Sequence, residues 1–289
     1  MLSNSPFDSR VLKQIGPFTM KLDLSSDGIS KPLYYQGYRE ACFMHLLSSE
    51  IKPGYVCIDL GSNIGYTTLY MCGATGPTGK VYAIEPDPWN IDLLRDNIKL
   101  NNFDDMCEIT QCAVSNFTGE LDFWMSDKSN LSSVEKTAHS TKMIRVKSYD
   151  LGTFLEGRSF PNFIKMDIEG HEVKVLGGAI DFFSKNEGPI KILLEVHPSM
   201  YSAENDFEKV LVEYFKMGFR NKYTVSTPIA VPRKFAEAGY KPVLVANTDG
   251  FQRGIYEEIK NEHFLEFSCR ENIEGNSKKI VRSFMIERL

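Results

Sequence analysis

The sequence predicts an α/β fold in which a doubly wound, mostly parallel sheet is covered by helices on both faces. Three observations point there. Short apolar runs alternate with amphipathic segments from Tyr55 to Met217, a glycine-bearing turn follows the first run, and an acid closes the second. The chain has 289 residues, 42% of them hydrophobic, enough for one substantial core with additions.

The elements follow in order. Phe18, Met20, Leu22 and Leu24 alternate with polar neighbours, as in a half-buried strand. A helix is expected from about Tyr38 to Ser48, and Lys52-Pro53-Gly54 breaks the chain after it. Residues 1–50 thus read as an extension packed on a main domain of residues 51–289. Within that domain the first run, Tyr55–Leu60, leads through the glycine turn to a helix at Thr67–Cys72. The second run, Lys80–Glu85, precedes a helix capped by Asp87 with Pro88 in its first turn. Glu108–Val114 is the third run, and Phe163–Ile168 the fourth, with a helix at Val173–Phe183 after it. Ile190–Val196 is the fifth, followed by a helix at Asp206–Met217 that Gly218 stops.

Two segments depart from this alternation. Between the third and fourth runs lie a hairpin-like Leu121–Trp124, the hydroxyl-rich Ser129–Ser133 and a strand-like Ile144–Val146. A long insertion, residues 226–279, precedes the last apolar run, Ile280–Ile286, and is expected on the acceptor side of the site. Its aromatics, Phe235, Tyr240, Phe251, Tyr256, Phe264 and Phe267, read mainly as a small core of its own.

Charge and cysteine usage narrow the partners. The formal net charge of -5 gives no broad basic surface, so a nucleic-acid partner is not expected. The six cysteines form no CxxC pair and read as buried thiols. No run has the length of a signal core or a membrane span, so a soluble, cytoplasmic protein is expected. The sequons at Asn116 and Asn130 are then silent.

In an open α/β sheet, ligands bind beyond the carboxyl ends of the strands. DLGSNIGY places Asp59, Gly61, Asn63 and Gly65 there, and the glycines allow a tight turn and close backbone approach. Glu85-Pro86 ends the second run, about where a carboxylate can accept both ribose hydroxyls. A dinucleotide would want GxGxxG and a clear helix N-terminus for its pyrophosphate. The spacing here is G-x-N-x-G with Tyr66 next, and Asp59 brings an anion to the turn. A cationic, phosphate-free ligand such as S-adenosylmethionine suits it better. A nicotinamide-dependent oxidoreductase and a non-catalytic cofactor-fold binding subunit stay as alternatives.

The runs KPGYVCIDLGSNIGYTTL, VYAIEPDP, CAVSNFTGELDF and FIKMDIEGHEVKVLGGA occur in that order. With the preceding YYQGYREA they resemble FkbM-type S-adenosylmethionine-dependent methyltransferases over roughly Tyr34–His197. FIKMDIEGHE is the distinctive part, whereas the glycine turn is common to class I methyltransferases. The resemblance implies the class I, Rossmann-like version of the fold and O-methylation of a sugar, glycan or natural-product hydroxyl. It implies that Asp59, Gly61, Asn63 and Gly65 form the methionine-side loop. It also implies Glu85 for the ribose, Ala113 and Val114 for the adenine, and Glu40 over the methionine moiety.

The fourth and fifth strand ends carry Lys165, Asp167, Glu169, His171, Glu172, Glu195 and His197. Methyl transfer needs the acceptor positioned and its proton removed, which a histidine or carboxylate can do. Asp167, His197 and Glu169 are the catalytic candidates, with Asp167 also facing the cofactor. Glu172 reads as a helix-start acid, His171 as a solvated loop residue and Lys165 as a lysine paired with a nearby acid. Asp167, Glu169 and Glu195 could hold Mg²⁺, but a metal-free route with His197 or Asp167 as base is preferred.

Overall fold

The structure is a computed structural model that describes residues 9–25, 27–227, 231–248, 250–270 and 280–289. It opens with an antiparallel hairpin of β1 (Arg10–Ile15) and β2 (Phe18–Asp23). Helices α1 (Ser30–Gln36) and α2 (Ala41–Glu50) follow. The hairpin is fastened to the main domain by amides. Asn97 Oδ1 accepts the Lys21 N–H at 2.6 Å, and Asn101 Oδ1 accepts the Thr19 N–H at 3.1 Å.

The wound core begins with β3 (Val56–Leu60), α3 (Tyr66–Thr75), β4 (Lys80–Ile84), α4 (Pro88–Leu100) and β5 (Cys107–Thr110). A small sheet then departs from it, made of β6 (Ala113–Ser115), β7 (Gly119–Ser126) and β8 (Ser140–Asp150) in the order β6-β8-β7. The short α5 (Leu151–Phe154) returns the chain to β9 (Phe163–Met166). Next come α6 (Glu172–Gly178), α7 (Ile180–Lys185), β10 (Ile190–Glu195), α8 (Phe207–Lys216) and β11 (Arg220–Ser226). The last elements are α9 (Val231–Glu237), β12 (Leu244–Thr248), β13 (Phe251–Glu257), α10 (Asn261–Leu265) and β14 (Val281–Arg288).

Nine strands of the described residues form one sheet, β12-β13-β11-β14-β10-β9-β3-β4-β5. From β5 to β10 all neighbours are parallel, and β14 runs antiparallel between β10 and β11. This is the expected Rossmann-like, doubly wound arrangement. The winding reverses between β3 and β9, the switch point where such sheets bind ligands. Parity along the strands divides the core. Ile58, Ile84, Met166 and Leu194 face one apolar layer, and Cys57, Ala83, Phe163 and Leu193 face the other.

Three expectations change. The run Glu108–Val114 is not one strand: β5 stays in the large sheet and β6 joins the small one, so Ala113 and Val114 stand where the two diverge. The helix expected at Val173–Phe183 is two, divided after Gly177-Gly178. A Cβ on Gly178 would lie 2.5 Å from Asn116 Cα, so the bend admits close packing. The insertion is not an appendage with a separate core. Phe235, Tyr256, Phe264 and Phe267 join the main apolar layer, with Phe264 edge-on to Phe284 at 4.7 Å. Its hairpin β12–β13 widens the large sheet, and Thr248 Oγ1 accepts the Ala41 N–H at 2.8 Å. Residues 228–230, 249 and 271–279 of the insertion lie outside the described residues. Among the described residues no helix is long and apolar enough to cross a membrane, and all six cysteines are buried thiols outside any disulfide.

Candidate active site

The ends of β3, β4, β9 and β10 open into one cleft of ≈ 1060 Å³, counted out to open solvent. Glu40, Gly61, Asn63, Glu85, Pro86, Ala113, Val114, Asp167, Glu169 and Glu195 all line it.

Asp59 and Gly65 do not line the cleft, and each has another task. Asp59 pairs in register with Lys165 on the neighbouring strand, and their charges meet at 3.0 Å with both side chains buried. Burial disfavours the Lys165 charge, but the Asp59 carboxylate outweighs it and raises the ammonium above its ordinary range. The other Asp59 oxygen accepts the Thr67 and Thr68 hydroxyls at 2.8 and 2.7 Å. The anion expected at the turn is therefore spent on the scaffold. Lys165 Nζ also donates to Gly61 O at 2.7 Å and so braces the turn from below.

The glycines serve packing. A Cβ on Gly61 would stand 2.1 Å from the Asp167 carbonyl oxygen, and one on Gly65 would stand 2.8 Å from Leu94 Cδ1. Gly61 lets the first and fourth strand ends touch, and Gly65 lets α3 lie close to α4.

Glu85 is 4% exposed. Its oxygens accept the Asn63 N–H at 2.7 Å and the Asp87 N–H at 3.0 Å. Burial, with the Asp87 charge beside it, pushes the carboxyl up to about 7. Asp87 caps α4 as expected, accepting the Trp89 N–H at 2.9 Å. The apolar wall beyond comes from Cys112, Ala113, Val114, Phe123 and Val134. The hydroxyl-rich loop closes over this end. Ser132 Oγ donates to Asp87 at 3.0 Å, and Ser133 Oγ donates to the Glu169 carbonyl at 2.9 Å. Asn130 of the same loop lines the cleft; the Ser129 side chain lies outside the described residues.

The opposite end is acidic. His197 Nε2 stands 3.4 Å from Glu169, 3.6 Å from Glu195 and 3.9 Å from Asp167. Its Nδ1 lies 2.9 Å from Glu172 Oε1. Burial alone would lower the His197 pKa, but Glu172, Glu195 and Glu169 raise it to about 10. The surrounding carboxyl groups thus favour the protonated ring, which disfavours it as the base in the free protein. Burial, then the Asp167 charge, pushes both Glu169 and Glu195 above the usual carboxylate range.

Arg282, from β14, bonds Glu195 and reaches Glu40 at 3.4 Å, and Arg39 reaches the same carboxylate at 3.5 Å. Glu40, Asn63 and Glu169 all have φ near +50°. Such non-glycine strain concentrates at functional sites, and all three residues line the cleft.

The residues the sequence reading undervalued are buried ones. His171 is 5% exposed, held by Ser115 at 2.8 Å and Glu135 at 3.2 Å, rather than solvated. Glu172 stands in the first turn of α6, as expected of a helix-start acid, and is also fully buried. Lys165 is paired with an acid, as expected. Arg282 carried a signal that was readable, a lone charge within the apolar run Ile280–Ile286.

A family model described as the methyltransferase FkbM domain matches residues 59–221, more than half of the chain. Similar solved structures include methyltransferase FkbM from Methylobacillus flagellatus KT, at 16% identity and TM-score 0.40. That match covers 75% of this chain and 50% of the other, so the chain spans about half that structure's length. M. jannaschii TYW2 in complex with AdoMet matches at 15% identity and TM-score 0.43, over 98% of this chain and 88% of that one. M. jannaschii tRNA m1G37 methyltransferase matches at 13% identity and TM-score 0.43, over 88% and 55%. No curated protein matches the chain.

Proposed function

The chain belongs to the methyltransferase FkbM domain family, and from that premise we propose that it transfers a methyl group from S-adenosylmethionine to a hydroxyl of a sugar, glycan or natural-product acceptor. One observation carries this reading: one cleft joins the buried acid Glu85 and the apolar wall of Ala113 and Val114 to the carboxyl groups of Asp167 and Glu169. The donor set fits S-adenosylmethionine. Glu85 is a buried acid beside an apolar wall, as a ribose and adenine require. Five acids line the cleft against the three cations Arg39, Lys165 and Arg282, a balance that suits a cationic cofactor better than the pyrophosphate of a dinucleotide.

S-adenosylmethionine supplies a methyl group already activated on its sulfonium. The protein's residues do the rest. Glu85, once ionised, accepts the ribose hydroxyls, and Ala113 and Val114 bound the adenine. The Gly61–Asn63 turn and Glu40 receive the methionine moiety, with Arg39 and Arg282 fixing the Glu40 carboxylate. Glu169 or Asp167 takes the acceptor proton. A carboxyl raised towards neutrality is a stronger base than an ordinary one and is still ionised in part. His197, as a cation, holds the carboxylates apart and lowers the cost of ionising them together.

The test is turnover of methyl-labelled S-adenosylmethionine with a panel of sugars, glycans and natural-product hydroxyls, with tRNA as a control acceptor. Formation of S-adenosylhomocysteine with a hydroxyl compound supports the proposal. Methylation of tRNA alone, or tight cofactor binding without transfer to any acceptor, overturns it. Calorimetry with NAD should show no binding.

A further inference from the structure

Glu172 sits in the first turn of α6 with no solvent exposure and does not line the cleft. A carboxylate so deep must be met by donors. One oxygen, Oε1, meets three. It accepts the Ile168 N–H at 3.3 Å and the Gly170 N–H at 3.2 Å, and His197 Nδ1 lies 2.9 Å away. The first two donors flank Glu169, the residue held at φ 52°. The third belongs to the ring whose other nitrogen faces Glu169. One buried oxygen therefore ties down the strained backbone on both sides of Glu169 and the ring in front of its carboxylate.

We propose that Glu172 is a positioning residue for methyl transfer, holding the His197 ring with Nε2 towards Glu169, Asp167 and Glu195 while it pins the loop that carries Glu169. This rests on the methyl-transfer reading above. With Nδ1–H committed to Glu172, the ring has one remaining donor, and its direction is set by the first. The carboxylate that takes the acceptor proton then faces a fixed positive charge rather than a mobile one. The other neighbours fit this orientation. Tyr201 Oη accepts the His197 backbone N–H at 3.2 Å, and Arg282 meets Glu195 from β14. Glu172 itself touches no substrate.

The test combines a spectroscopic and a kinetic measurement on the full chain. Histidine-labelled protein gives ring ¹⁵N signals, and the His197 signal is assigned by its loss in His197→Gln. In the wild type that signal should remain imidazolium-like to at least about pH 8. In Glu172→Gln its titration should move to lower pH, since the largest of the raising influences is gone. With S-adenosylmethionine and a hydroxyl acceptor, kcat should fall about ten- to a hundredfold, the loss usual when a supporting residue is removed. The cofactor Kd should stay within about twofold, placing the loss in the reacting geometry. Should Glu172→Gln not fold, Glu172→Asp carries the same test. It keeps the charge but withdraws it from the ring, and the same drop in titration is expected. An unchanged His197 signal in a folded variant overturns the proposal, as does a loss of cofactor binding that matches the loss of kcat. Failure of the wild type to methylate any acceptor sinks the methyl-transfer reading instead, and the ring titration still decides the pairing.

Discussion

Glu85 Oε2 accepts the backbone N–H of Asn63 at 2.7 Å, so the acid ending β4 holds the turn that follows β3. The proposed ribose site and the proposed methionine loop are therefore one unit. Burial raises the Glu85 carboxyl to about 7, and the direction of the pH effect follows. The ionised form accepts hydroxyls, so S-adenosylmethionine affinity should rise as pH climbs through about 7. The free protein should lose stability over the same window, because the native state holds a proton that the unfolded chain releases at lower pH. Glu85→Gln should remove the pH dependence of binding and cost about one to two decades in affinity. Calorimetry on both sides of neutrality checks this, and a flat wild-type profile would count against it.

Gly61 separates two reasons for needing glycine. An added Cβ would meet the Asp167 carbonyl oxygen at 2.1 Å, and φ is +76°. Gly37 shares the left-handed backbone, at φ +79°, but has nothing within 4 Å. Gly37→Ala should therefore cost only the backbone strain, about 1–2 kcal/mol. Gly61→Ala should add about 1–3 kcal/mol from overpacking and weaken cofactor binding by displacing Asp167. Urea midpoints of the two variants decide it, and equal losses would show that the contact with Asp167 is relieved elsewhere.

Asp59 and Lys165 form a buried pair at 3.0 Å between neighbouring strands. Removing one partner strands the other. Lys165→Met should cost about 3–5 kcal/mol, and adding Asp59→Leu should recover much of that. Denaturant unfolding of the single and double variants measures the coupling. A double variant less stable than Lys165→Met would show that the Thr67 and Thr68 hydrogen bonds to Asp59 outweigh the pair.

These particulars show what the sequence could and could not carry. Alternating runs, the Asp87 cap and the order of glycine turn and acid are local signals, and they located the parallel strands of the large sheet and many residues of the cleft, but not β11, β12 and β13. The strand break between Thr110 and Ala113 was hidden because both halves are apolar. The fate of Asp59 was hidden as well, since its partner lies 106 positions on and only strand register brings them together. The depth of Glu172 was hidden because its position at a helix start has a sufficient local explanation. The aromatics of the insertion showed apolarity but not which core they enter. Deleting that segment would expose the main apolar layer, so a point substitution is the better probe of its role.

The last prediction concerns the acceptor's proton and the place of a metal. Asp167, Glu169 and Glu195 do not converge as one ligand set. Among the described residues, ligand atoms within 4.8 Å of one another group as Asp167, Glu169 and His197, and as Glu40, Asp167 and Glu195. The first group already contains a cation, since His197 keeps its proton to about 10. The second is met by Arg282, which bonds Glu195 and reaches Glu40. Mg²⁺ asks for a near-octahedral oxygen set and dehydrates reluctantly, so it would have to displace one of these cations. A carboxylate acting alone as base needs no such rearrangement. Methyl transfer should therefore survive exhaustive EDTA treatment. Its rate should rise with pH as the raised Glu169 carboxyl ionises, since burial and the Asp167 charge hold it above the usual range. Glu169→Gln should lower kcat by about two to four decades with cofactor affinity maintained. Should chelation abolish activity and Mg²⁺ restore it, the cation becomes the agent that acidifies the acceptor, and Asp167 with Glu169 become its ligands.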